Sequence, residues 1–87
     1  MTQLTPEQIA ALRAVPVTED NPNRLRVAMA LVQARGDDLS EQTGINRSHI
    51  SRIVNGHAVN LELGTARAIA EAFGCAIEDL FPSQVAA

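Results

Sequence analysis

Lysine, tryptophan and tyrosine are absent from this chain of 87 residues, which has one cysteine and two phenylalanines. A lone Cys75 excludes an internal disulfide. It follows Gly74 in an apolar context with no neighbouring histidine or second cysteine, which reads first as core filler and second as a reactive thiol. No apolar run approaches the length of a membrane span. The N-terminal MTQLTPEQIAALRAV lacks the basic region, apolar block and small-residue cleavage site of a secretory signal, so the expected location is cytoplasmic. Also missing are Ser/His/Asp spacing, a metal-ligand cluster and a glycine-rich phosphate loop. No enzyme activity, cofactor or metal is therefore expected. The length fits one domain with a single modest core and no separate sensor domain.

What is present is a helical pattern with an uneven charge distribution. The formal net charge is −3, which at first weighs against nucleic acid as a partner. The ends carry the acid: Glu7, Glu19 and Asp20 against Arg13 at one end, and Glu71, Glu78 and Asp79 at the other. The other six arginines lie in residues 24–69, and Gln42 to Leu61 contains no acid at all. That gap holds Arg47, His49, Arg52 and His57. An all-arginine basic set fits fork-shaped contacts with phosphate and guanine, and it equally fits a GC-rich genome.

Helix signals follow one another along the chain. TPEQIAALRAV opens with Thr5 as N-cap, Pro6 at the first helical position and Gln8 closing a capping box, with Ile9 and Leu12 on one face. PVTEDNPN is a polar linker. From Asn21-Pro22 a second helix runs through NRLRVAMALVQAR to a stop at Gly36, burying Leu25, Ala28, Met29 and Val32. DDLSEQTG is short, with an acidic first turn, Leu39 and Thr43 inward and Gly44 at its end. LELGTARAIAEAF, capped by Asn60, places Leu61, Ala66, Ile69, Ala70 and Phe73 in a core stripe ending at Gly74. AIEDLFP adds Ile77, Leu80 and Phe81.

Between these lies INRSHISRIVNG, residues 45–56. Asn46 is a favourable N-cap, and Ile45 stands where a hydrophobic staple meets Ile50. At 100° per residue Ile50, Ile53 and Val54 share one arc, while Ser48, Ser51, Arg52 and Asn55 lie opposite, flanked by Arg47 and His49. Two short helices joined by a glycine turn, the second exposing small polar and basic side chains, fit a helix-turn-helix. A helix of this width enters the DNA major groove, where Asn, Ser and Arg reach base edges.

The stretch LSEQTGINRSHISRIVNG, continued by LELGTARAIAEAFGCAIEDLF, resembles the Cro and lambda-repressor-like helix-turn-helix domains over roughly residues 24–81. The resemblance implies an all-α fold, a compact five-helix lambda-repressor-like bundle to which residues 1–23 add a short N-terminal helix and linker and residues 82–87 a tail. It implies that the helix from Asn46 is the recognition helix, with Arg47 and Ser48 at base-reading positions, Ser51 and Arg52 on the same exposed face, and Asn55 meeting the DNA backbone. His57 in the following loop would meet the backbone likewise, Arg52 reaches either a base or a phosphate, His49 is either solvated surface or a DNA contact, and Ser48 and Ser51 serve either as hydrogen-bonding groups or as small residues permitting close approach.

The chain departs from the family where Gly36, Asp37 and Asp38 replace the glutamine that often starts the second helix, since acids near phosphate repel. Gly64 inside a helix implies close packing or a loosened first turn, at about 1 kcal/mol of propensity relative to Ala. The N-terminal helix packs either on its own bundle or against a partner. One such domain covers a half-site, so a homodimer on a palindromic double-stranded DNA operator is expected, held by apolar surface near Ile77, Leu80, Phe81 and Val85, residues that a satellite core would also use. The function implied is a transcriptional repressor, autoregulatory in the manner of small phage, antitoxin or accessory regulators. The rival is a protein-interaction module binding a toxin or polymerase subunit through Glu71, Glu78, Asp79 or the N-terminal helix.

Overall fold

The computed structural model describes residues 2–19, 22–57 and 61–82. Among them six helices and no strand are found: α1 (Pro6–Arg13), α2 (Leu25–Leu31), α3 (Gly36–Thr43), α4 (Arg47–Val54), α5 (Leu63–Phe73) and α6 (Ile77–Leu80). One apolar core runs through all of them, built around Leu12, Leu25, Leu39, Ile50, Ile53, Ile69, Phe73, Leu80 and Phe81, each essentially inaccessible to water. None of the described helices is long and apolar enough to cross a membrane.

Local chemistry sets most of the ends. The capping box of α1 is formed as expected, with the Gln8 N–H donating to Thr5 Oγ1 at 3.2 Å and the Thr5 N–H to Gln8 Oε1 at 2.9 Å. Left-handed glycines close three helices: Gly44 after α3, Gly56 beyond α4 and Gly74 after α5, with φ of 76°, 75° and 73°. At Gly56 and Gly74 the next N–H reaches back to a sixth-residue carbonyl, His57 to Arg52 and Cys75 to Ala70.

The second helix is shorter than expected. It begins at Leu25 and ends at Leu31, not at Gly36, because Gln33 takes the left-handed conformation at φ 55°. The Gln33 and Ala34 N–H groups turn back to the Ala30 and Met29 carbonyls, which closes the helix with a motif more often built on glycine. Gly36 is instead the first residue of α3, and Met29 and Val32 are only half-buried. The helix expected after Asn60 starts at Leu63, and Asn60 lies outside the described residues.

The N-terminal segment packs on its own bundle. Leu4 is buried, and its N–H donates to the Phe73 carbonyl at 2.9 Å, satisfying an otherwise orphan group at the end of α5. Arg13 Nε donates to Asp79 Oδ1 at 2.6 Å, and Arg24 donates to the carbonyls of Val15, Arg13 and Asp79. Burial alone would raise the Asp79 pKa. The Arg13 hydrogen bond, the Ala76 N–H and the charges of Arg13 and Arg24 outweigh it and hold the carboxyl below its usual range.

Leu80 and Phe81, expected near a dimer surface, are interior residues of this core and offer nothing to a partner. Ile77 is half-buried against the same core, and Val85 lies outside the described residues. Among the described residues Gly64 has no neighbour that a β-carbon would meet, so close packing against them does not account for it. Cys75 is half-buried. Burial first, and then the Asp79 charge, push its thiol pKa up to about 11 against the opposing pull of Arg13.

Candidate nucleic-acid interface

The α3–α4 pair owes its geometry to a short turn held by side-chain hydrogen bonds. Gly44 supplies the left-handed backbone, Ser40 Oγ donates to the Ile45 carbonyl at 2.6 Å, and the Ile45 N–H donates to Thr43 Oγ1 at 3.2 Å. Thr43 in turn donates to the Leu39 carbonyl at 2.7 Å. Two hydroxyls of α3 therefore hold the Ile45 N–H and carbonyl and with them the angle at which the next helix leaves. Asn46 then caps α4 by accepting the Ser48 N–H at 2.8 Å.

With Ile50 and Ile53 in the core and Val54 half-buried, the rest of α4 faces outward. Asn46, Arg47, Ser48, His49, Ser51, Arg52 and Asn55 are all exposed, and so is His57 in the turn that follows. Arg47, Ser51 and Asn55 recur every four residues along the edge nearest α2 and α3, where they line a groove with Gly36 and the apolar Met29, Ile50 and Val54. Ser48 and Arg52 stand farthest from the core. His49 lies toward the opposite edge, about 200° on from Arg47 round the exposed face of the helix.

Three contacts that connect distant parts of the chain complete the site, and none has a local sequence signal. Asn23 is 2% exposed; its Nδ2 donates to the Ile53 carbonyl at 2.8 Å while its Oδ1 accepts the Leu25 N–H at 3.0 Å. It thereby starts α2 and clamps the last turn of α4 to it. Arg26, exposed on α2, donates from Nη2 to Asn55 Oδ1 at 2.8 Å. This places a second cation beside the residue that the family resemblance assigns to the DNA backbone. Finally Arg47 Nη1 lies 3.1 Å from Asp37 Oδ1, across the helix-turn-helix angle.

The two acids at the start of α3 are thus engaged within the protein. Asp38 accepts the Arg35 N–H at 2.9 Å, and Asp37 faces Arg47. Beyond α4, Gly56 is required twice over: its φ is positive, and a β-carbon there would fall 2.4 Å from Pro22 Cγ. The surface that results is a helix whose own exposed residues include no acid, with Arg52 at the centre of the polar face and Arg47 at its edge beside Asp37. Its chemical capacity is to donate hydrogen bonds and positive charge to a polar, anionic partner.

The family model for the Cro/C1-type HTH DNA-binding domain matches residues 24–82. Over 59 residues the chain is 37% identical to a protein of Bacillus subtilis (strain 168), the SPbeta prophage-derived uncharacterized HTH-type transcriptional regulator YotL; the match covers 68% of this chain and 74% of that one. No solved structure matches the chain.

Proposed function

The chain belongs to the Cro/C1-type helix-turn-helix DNA-binding domain family, and from that premise we propose that it is a sequence-specific repressor that reads double-stranded DNA by laying α4 in the major groove. The exposed, acid-free face of α4 is the observation that carries this reading. Arg47 is the guanine reader, a bidentate contact worth about 1–3 kcal/mol of discrimination. Ser48 and Arg52 sit where α4 projects farthest from the core, while Asn55, Arg26 and His57 face the sugar–phosphate backbone. The clamp at Asn23 and the turn at Ser40 and Thr43 supply rigidity, so that little ordering is left for the binding step.

A single domain spans a half-site, so two copies act on a palindromic operator about one helical turn apart. The protein regulates its own promoter by occluding it. The rival interaction surface loses one of its acids, because Asp79 is 5% exposed and paired with Arg13.

Fluorescence anisotropy on the duplex upstream of its own gene and on a shuffled duplex, each titrated across salt, tests the reading. The expected result is tighter binding to the native duplex and a log–log salt slope of several units, about 0.9 per neutralised phosphate. Arg47→Ala is expected to erode the preference and leave the fold intact. No binding to either duplex at low salt would overturn DNA recognition.

A further inference from the structure

We propose that Asp37 is a positioning residue for Arg47, holding its guanidinium ready for a guanine edge while disfavouring its use on phosphate. This rests on the DNA-reading role of α4 given above. The two residues belong to different helices, Asp37 near the start of α3 and Arg47 at the start of α4, and their contact closes the angle between them. The arginine stem runs over the beginning of α3: a β-carbon on Gly36 would meet both Cγ and Nε of Arg47 in ordinary van der Waals contact at 3.7 Å.

The pair has little value as a structural brace. The two side chains are 70% and 66% exposed, and ion pairs in that setting contribute little to folding. The first-turn backbone is served by Asp38, whose carboxylate takes the Arg35 N–H. What remains for Asp37 is the arginine itself.

Donor bookkeeping shows the consequence. A guanidinium carries five N–H groups. Asp37 faces Nη1 as an ion pair at 3.1 Å, and among the described residues no hydrogen bond from Nε or Nη2 of Arg47 is found. That free edge matches the O6 and N7 acceptors of guanine. A phosphate meets the same edge under a different balance, because the adjacent carboxylate repels it and cancels part of the arginine charge. A guanine edge is neutral and suffers much less. Asp37 therefore lowers binding to arbitrary DNA more than binding to a site with guanine opposite Arg47. It turns the acid that first counted against DNA binding into a source of selectivity.

The test uses the full chain and a duplex enriched by the wild-type protein from a random pool, with a scrambled duplex and one carrying a substitution at the enriched guanine. Asp37→Ala, Arg47→Ala and the double variant are titrated by anisotropy, and Asp37→Asn serves as a variant that keeps an uncharged acceptor at α3. Asp37→Ala is expected to tighten scrambled binding roughly two- to fivefold, the range of an exposed charge pair, and to lower the enriched-to-scrambled ratio by a similar factor. In the Arg47→Ala background the same substitution is expected to shift both duplexes equally, leaving the ratio unchanged. Asp37→Asn is expected to tighten scrambled binding while keeping part of the guanine preference.

An unchanged ratio in Asp37→Ala, with the wild type still selecting a motif, would overturn the positioning role and leave DNA reading intact. An equal fall in ratio with and without Arg47 would overturn it too, since Asp37 would then act independently of the arginine. A wild type that enriches no sequence and binds no duplex at low salt would overturn DNA reading and this inference with it.

Discussion

Replacing Asn23 by alanine tests whether one buried amide holds the reading helix in place. The side chain joins two backbone groups from different helices, the Ile53 carbonyl and the Leu25 N–H. Each hydrogen bond is worth about 0.5–1.5 kcal/mol net, and a buried group left without a partner costs about 1–3 kcal/mol. In Asn23→Ala the Ile53 carbonyl keeps the Gly56 N–H at 3.0 Å, so one hydrogen bond is lost there while the Leu25 N–H is left without a partner, together about 2–4 kcal/mol. A domain of this length has a total stability of roughly 4–13 kcal/mol, so the loss is a large fraction. At about 4–8 °C per kcal/mol for a domain of this size, the melting temperature is expected to fall by roughly 8–32 °C, read by circular dichroism and urea titration with an unchanged m-value.

Asn23→Asp adds a control on the sign. Its carboxylate would face the Ile53 carbonyl in a buried site, which raises its folded pKa above the unfolded value of about 3.9. The protonated acid can still donate to that carbonyl. Its deficit relative to wild type is therefore smallest below pH about 3.9 and grows as pH rises through the folded pKa. A loss under about 0.5 kcal/mol in Asn23→Ala, the level of an ordinary surface change, or an Asn23→Asp deficit that ignores pH, would refute the clamp.

Gly56→Ala is expected to destabilise by about 2 kcal/mol or more, combining left-handed strain with the Pro22 contact, whereas Gly64→Ala, whose β-carbon meets none of the described residues, is expected to gain about 0.5–1 kcal/mol; thermal melts of both variants check the pair. The depressed Asp79 pKa makes its stabilisation complete above the unfolded pKa of about 3.9 and lost as pH falls through the lower folded value. Asp79→Asn is accordingly expected to be less stable than wild type at neutral pH and to converge on it in acid, measured by urea titration at a series of pH values. Cys75, with a thiol pKa raised to about 11, is expected to react with iodoacetamide at pH 8 roughly a hundredfold more slowly in the folded protein than in urea, in line with its loss of thiolate; equal rates would contradict its burial.

The caps of α1 and α4, the turn glycine and the two-faced pattern of residues 45–56 were legible because each depends on residues within one or two helical turns. Polarity alone separated the exposed side chains of α4 from Ile50 and Ile53. The end of α2 was illegible: Gln33 adopts a left-handed backbone that glycine usually marks, so the stop was assigned to Gly36. Leu80 and Phe81 show another limit, since an apolar stripe looks the same whether its partner is the chain's own core or a second copy. Asn23, Arg26 and Asp37 gained their roles from partners 30, 29 and 10 residues away in sequence. Only the packed structure brings those groups within hydrogen-bonding reach. Asp37 in particular was legible as a negative charge, but not as the partner of Arg47.

The most direct test of the central claim is a nuclear magnetic resonance titration of the isotope-labelled protein with an enriched duplex, following backbone amides and arginine side chains residue by residue. Recognition through α4 is expected to shift the amides of residues 46–57 and the side chains of Arg26, Arg47 and Arg52, with Glu71 and Glu78 unmoved. Shifts centred on Glu71 and Glu78 with α4 silent, or no shifts at low salt, would contradict it.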